Sequence, residues 1–167
     1  MAQVGDEAFT AFVSAAEPRL LRAAWLLTGD AWRAEELVQD TLVRTYAVWH
    51  RVSTRDPYAY ARRTLINART DSWRRRRKER LTGEVPDGPG PDQVERVVQR
   101  SEIAAALQRL RPRERQIVVL RYYLDRSEQE TADELGISLG TVKSTASRAL
   151  ARLRAAQDTP DQAGAPR

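Results

Sequence analysis

Ser127-Glu-Gln-Glu-Thr-Ala-Asp-Glu-Leu-Gly-Ile-Ser-Leu-Gly-Thr-Val-Lys-Ser-Thr-Ala-Ser-Arg148 is the stretch on which the reading of this chain turns. Ser127 with Glu130 three residues on predicts a capping box, in which each residue's side chain satisfies the other's backbone N–H. The short helix that follows should end at Gly136, a residue free to take positive φ. Ser138 can cap the next helix. Ala132 is small where two helices must cross closely, and Ile137 and Val142 can fill the angle between them. These are the requirements of a helix-turn-helix.

The second helix of that motif divides into two faces. Val142, Ala146, Ala149, Leu150 and Leu153 recur at core spacing. Thr141, Lys143, Ser144, Ser147 and Arg148 fall opposite, short or basic, as a helix entering a major groove requires. Lys143 and Arg148 can reach guanine edges or phosphates, and the hydroxyls can contact bases or backbone oxygens. With Ser138 at the cap, these six residues are the candidate duplex contacts. The alternative is an ordinary helical hairpin with a solvated face.

Working outward, apolar residues keep helical spacing along the chain, and no alternating strand pattern appears. A helix from Pro112 to about Leu124 precedes the motif, and another ends near Leu110. Gly83 to Asp92 holds three Gly and three Pro and reads as a linker. Before it, a first helix runs from about Asp6 to Thr28, with Phe9, Phe12, Val13, Leu20, Leu21, Ala24 and Trp25 inward. Pro18 predicts a kink or break near Glu17. Asp30 caps a second helix reaching about His50, with the stripe Ala34, Leu37, Val38, Thr41, Leu42, Thr45 and Trp49. A polar loop, Arg51 to Arg55, follows. Asp56-Pro57 opens a third helix running to about Arg80, with proline where its missing N–H costs nothing. The fold expected is all-α: two small helical domains, 6–82 and 99–156, a linker at 83–98 and a disordered tail at 157–167.

The third helix interleaves aromatics with cations. Ala61, Thr64, Leu65 and Ala68 form its inner stripe, and Tyr58, Tyr60, Arg62, Arg63, Asn67 and Trp73 lie around it, before the run Arg74 to Lys78. Rings stack on bases while cations hold phosphates, which suits single-stranded DNA. The same residues also fit a core of aromatics with a solvated basic helix end. On the second helix, Glu36 and Asp40 stand one turn apart. They form either an acidic patch for a basic partner or a plain solvated face.

Composition narrows the function classes. The net charge is +5 and the pI about 10.1, a balance suited to a polyanion. Residues 1–80 carry 15 Lys/Arg against 10 Asp/Glu, 81–98 one against four, and 99–167 twelve against nine, so two basic blocks flank an acidic spacer. There is no cysteine, which removes disulfides and thiol chemistry. His50 is the sole histidine, and no Gly-rich phosphate loop, nucleophile motif or metal-ligand cluster is present. An enzyme is therefore not expected, nor a cofactor or metal. The first residues do not read as a secretory signal, and no apolar run suits a bilayer, so the expected location is cytoplasmic without membrane contact.

Ala34–Thr41, the helix with Pro57, Arg62-Arg63, Asn67 and Arg74–Arg77, and Leu110-Arg-Pro-Arg-Glu-Arg-Gln-Ile117 leading into the helix-turn-helix together resemble the extracytoplasmic-function (group 4) sigma factors of the sigma-70 family. The stretch from Asn67 to Trp73 and its Arg run is similar to an actinobacterial subgroup. The resemblance spans residues 6–154. It implies an alternative sigma factor that binds RNA polymerase core, recognises the −10 and −35 promoter elements and opens the strands. It further implies that Glu36, Leu37, Asp40 and Thr41 dock on a coiled coil of the largest subunit. Arg51, Ser53, Tyr60, Arg62, Arg63, Asn67, Arg74 and Arg75 would meet the −10 element. The helix with Ser138, Thr141, Lys143, Ser144, Ser147 and Arg148 would meet the −35 element. The implied partners are core polymerase, including its flap, promoter DNA and an anti-sigma factor. The rival function is a stand-alone helix-turn-helix regulator that binds duplex without polymerase.

Overall fold

The computed structural model describes residues 2–80 and 102–157, with side chains over 5–68 and 103–156. The described residues are helical with no strand. The chain divides into two compact units, the cut falling between Ala104 and Ala105. The linker expected at 83–98 lies outside the described residues, as does the tail expected at 157–167 apart from Gln157, which is helical and not part of a tail.

The N-terminal unit packs three long helices against one another: α1 (Ala2–Thr28), α2 (Ala31–Ala47) and α4 (Pro57–Arg80), with a single turn, α3 (Trp49–Val52), between the last two. Its core is made by Leu20, Leu27, Val38, Leu65 and Ile66, all fully buried, together with Thr41 and Thr45. The two buried hydroxyls are satisfied one turn back: Thr41 donates to the Leu37 carbonyl and Thr45 to the Thr41 carbonyl, each at 2.8 Å. Without those bonds each hydroxyl would lose hydration for nothing in return.

Of the kink or break expected near Glu17, the break does not occur; α1 is continuous through Pro18. Proline in a helix interior costs about 3 kcal/mol, but the turns on either side bury Ala16, Leu20, Ala23, Ala24, Leu26 and Leu27, and each large apolar side chain contributes about 1.5–3 kcal/mol. Ser14 and Pro18 are exposed, so the Ser14 carbonyl that lacks a helical donor faces water. Gly29 then ends α1 at φ +69, its N–H bonded to the Trp25 carbonyl.

Asp30 caps α2, its Oδ1 accepting from Arg33 N at 2.8 Å. The helix stops at Ala47, short of the expected His50, because Val48 leaves helical geometry at φ −117, ψ 16. Arg51 is therefore helical, in α3, and Ser53 caps that turn. Trp49 packs on Phe9 and Phe12 with ring centroids 5.1 and 5.2 Å away, and Tyr46 lies 4.8 Å from Phe9. These rings hold the start of α1 against the end of α2. Asp56 caps α4 through Ala59 N at 2.8 Å, with Pro57 as its first residue.

The cut falls within α5 (Glu102–Gln108), and the C-terminal unit holds its residues from Ala105 on, then α6 (Pro112–Val118) continued by a π turn (Val119–Tyr123), α7 (Glu128–Leu135) and α8 (Leu139–Gln157). Ile117, Val119, Leu120, Thr131 and Val142 are fully buried. Arg115 is buried as well. Its Nε donates to Leu107 O at 2.8 Å, and its Nη2 to Gln108 O and Leu110 O at 3.0 and 3.1 Å, so one guanidinium closes the carbonyl end of α5. Glu114 Oε2 accepts from Arg111 N at 3.0 Å and lies 3.5 Å from Arg152 Nη1, tying the start of α6 to α8.

Candidate nucleic-acid interface

The helix-turn-helix is assembled by the residues that predicted it. Glu130 N donates to Ser127 Oγ at 3.1 Å and Ser127 N to Glu130 Oε2 at 2.7 Å, closing the capping box of α7. Gly136 sits at φ +62, ψ 40, a left-handed conformation costly for a residue with a Cβ. Ser138 Oγ accepts from Thr141 N at 3.1 Å and starts α8. Ala132, Val142, Ala146 and Ala149 are buried, and Leu150 and Leu153 half-buried. Thr145, not counted in that stripe, is buried beside them.

The opposite face of α8 is open. Ser138, Thr141, Lys143, Ser144, Ser147 and Arg148 are all exposed. Two of them have local partners: Lys143 Nζ lies 3.7 Å from Glu128 Oε2 on α7, and Arg148 donates from Nε to Ser144 O at 3.2 Å and from Nη2 to Thr145 Oγ1 at 3.3 Å. Both cations are thus steadied near the surface that DNA would meet, by weak bonds that phosphate can replace.

In the N-terminal unit the expected single-strand contacts separate into two groups. Tyr60, Arg63 and Asn67 line one open groove of about 310 Å³, together with Arg44 of α2, Thr64 and Ala68. Tyr60, Arg63, Thr64 and Asn67 stand at i, i+3, i+4 and i+7, one face of α4. Arg51 and Ser53 are exposed on and after α3. Arg62 does not join them. It is 8% exposed, with its guanidinium 5.9 Å from the Tyr58 ring, while Arg19 stacks on the same ring at 4.7 Å. Arg62 lies one turn from Tyr58 and from Ile66, so its stem runs along the core and its head stays on an aromatic face. The backbone at Arg74 and Arg75 is helical, in α4; their side chains, and that of Trp73, lie outside the described residues.

The acidic face of α2 is likewise resolved. Glu36 and Asp40 are exposed, Asp40 pairing with Arg44 at 2.9 Å. Leu37 is buried and Thr41 is at 0% exposure, its hydroxyl held by Leu37 O. Thr41 is therefore a core residue and not part of a contact surface. Arg44, Thr64 and Glu128 were not among the expected site residues. Their signals were the i,i+4 spacing of Asp40 and Arg44, the i+4 place of Thr64 after Tyr60, and an acid opening the helix that precedes Lys143.

Among the described residues no group of His, Cys, Asp or Glu could hold a metal ion, and no helix is long and apolar enough to cross a membrane. What the two units offer is a basic, hydroxyl-rich helix face on one and a basic groove with an aromatic wall on the other.

Residues 12–79 match the family model Sigma-70 region 2, and residues 100–153 match Sigma-70, region 4. The chain is 43% identical to RNA polymerase sigma-E factor of Streptomyces coelicolor over 148 residues, covering 87% of this chain and 84% of that protein. It is 35% identical to the ECF RNA polymerase sigma factor SigL of Mycobacterium tuberculosis, covering 81% and 80%. The solved structure of CnrH in complex with the cytosolic domain of CnrY superposes with a TM-score of 0.64 at 28% identity, covering 96% of each chain. With both regions matched in order, the chain belongs to the extracytoplasmic-function sigma factors of the sigma-70 family.

Proposed function

We propose that this alternative sigma factor, which directs promoter recognition for transcription initiation, divides the task between its two units as follows. The N-terminal unit, within 6–82, docks on the coiled coil of the polymerase largest subunit through Glu36, Asp40 and the edge of Leu37. It receives unstacked −10 bases in the groove of Tyr60, Arg63 and Asn67, with Arg51 and Ser53 beside the strand and Arg74 and Arg75 on its phosphates. The C-terminal unit, within 99–156, docks at the flap and lays the Thr141–Arg148 face of α8 in the −35 major groove. Residues 83–98 link the two.

The observation that supports this reading is the groove, which gathers a ring, a guanidinium and an amide on one face of α4. A ring stacks on any base, a cation holds phosphate, and an amide can read a base edge. Strand opening then needs no nucleotide hydrolysis. Extruding a base costs a few kcal/mol, offset by stacking, hydrogen bonds and phosphate contacts. The chain acts by binding and not as an enzyme, in the cytoplasm where polymerase works. CnrH has been solved in complex with the cytosolic domain of CnrY, and an anti-sigma factor is the protein partner proposed for this chain.

Run-off transcription with actinobacterial core polymerase on a randomised promoter pool tests the assignment. Protein-dependent transcripts sharing two motifs at fixed spacing are expected. Tight duplex binding without core, and no transcripts with it, would establish a stand-alone regulator instead.

A further inference from the structure

Arg44 stands between two surfaces that the proposed function treats separately. It leaves α2 one turn after Asp40 and lines the α4 groove beside Tyr60, Arg63, Thr64 and Asn67. Its Nη2 lies 2.9 Å from Asp40 Oδ2, and both side chains are 48% exposed. Asp40 belongs to the acidic face assigned to core polymerase. One ion pair therefore joins the core-docking face to the base-receiving groove.

The two ends of that pair have competing partners. A basic group on polymerase that pairs with Asp40 takes away the carboxylate that holds Arg44. A phosphate or base edge entering the groove offers Arg44 a replacement acceptor, and a guanidinium matches either in two-point geometry. Half-exposed ion pairs are weak, about 0–1 kcal/mol, so the exchange meets little resistance from the pair itself. In the free chain Asp40 also places a negative charge near the groove, where it opposes the approach of a polyanion.

We propose that Arg44 is a further contact to the unstacked −10 strand, held in reserve by Asp40 in the free protein and released when polymerase occupies Asp40. This rests on the reading that the groove receives −10 bases. It deepens that reading by coupling core docking to strand capture: the chain favours promoter DNA once polymerase is bound, without movement of a helix. The coupling is reciprocal, so strand capture by Arg44 also frees Asp40 for polymerase.

The test uses full-length protein and a fork-junction probe carrying the −10 element selected by the wild-type holoenzyme, with core in excess so that assembly is not limiting. Arg44→Gln is expected to weaken probe binding about tenfold, the scale of one good Arg contact, and to lower the log–log salt slope by about 0.7. Arg44→Lys, which keeps the charge but not the fork, should recover only part of the loss. Asn67→Ala is measured alongside. Loss with Asn67→Ala but none with Arg44→Gln overturns the assignment of Arg44 alone, whereas no loss with either overturns the groove reading itself. The coupling is read in free protein on the single strand. Asp40→Asn should raise affinity about threefold, within the range of an exposed ion pair, and the gain should vanish in Asp40→Asn/Arg44→Gln. A gain of equal size in both backgrounds reflects general charge and overturns the release of Arg44.

Discussion

Arg115 Nε donates to the backbone carbonyl of Leu107 at 2.8 Å, across the turn that joins α5 to α6. With the two bonds from Nη2, this buried side chain supplies donors that the end of α5 would otherwise lack. Arg115→Ala should lower the stability of the C-terminal unit by about 2–4 kcal/mol, since buried carbonyls would lose charged partners. Arg115→Lys, a point charge in place of a fork, should recover less than half. Urea unfolding of the full chain followed by circular dichroism measures both; unaltered unfolding in Arg115→Ala would remove the capping role.

Lys143 and Arg148 should act on −35 recognition and not on folding, because both are exposed. Lys143→Ala with Arg148→Ala should reduce the log–log salt slope of promoter duplex binding by up to about 2, one for each cation on phosphate. Glu128→Gln should work in the other direction, since it removes the carboxylate 3.7 Å from Lys143 Nζ and leaves that ammonium to DNA. Holoenzyme binding at several salt concentrations separates the effects. Equal slopes for the double variant and wild type would show that DNA does not meet this face.

Asp40→Arg should abolish core binding while the protein stays folded. The side chain is half-exposed and outside the core, so the melting temperature should stay within a few degrees of wild type. Like charges at an interface cost several kcal/mol, and core affinity should fall at least about a hundredfold. Anisotropy of labelled protein titrated with core measures it, and an unchanged affinity would dismiss the docking face on α2.

Tyr46 donates its hydroxyl to Asp6 Oδ1 at 2.7 Å. That hydrogen bond, then the negative charge of Asp6 and then desolvation, raise the Tyr46 pKa above 10.0. The neutral phenol is the favoured form in the folded state. Its contribution is complete below the unfolded value and fades as pH rises through the folded one. Ultraviolet difference titration should find Tyr46 ionising at lower pH in Asp6→Asn than in wild type. An identical titration in the two proteins would discard the Asp6 bond as the cause.

Local signals carried much of this fold. Asp30, Asp56, Ser127 and Ser138 each cap the helix predicted from them, because a cap acts over three residues and needs nothing distant. The exposed face of α8 was equally legible, since one helical period sorts its residues. Where the reading failed, distant packing decided. Pro18 obeys a local rule that burial on both sides outweighs. Thr41 falls on both the apolar stripe of α2 and the family's contact set; the two places exclude each other, and the stripe prevails. Arg62 reads as a surface cation, but its spacing from Tyr58 and Ile66 puts its stem in the core. Arg44 was missed because its partners in the groove lie on another helix.

The separation of faces on α8 bears on how such a protein diversifies. Val142, Ala146 and Ala149 pack the helix, while Lys143, Ser144 and Ser147 stand in solvent beyond the cap. Exposed substitutions away from caps and cores typically change stability by about 0.5 kcal/mol or less. A lineage can therefore retune which duplex sequence this helix prefers, one side chain at a time, through folded intermediates. Duplicated copies of the gene can drift toward different promoters without first evolving a sturdier scaffold.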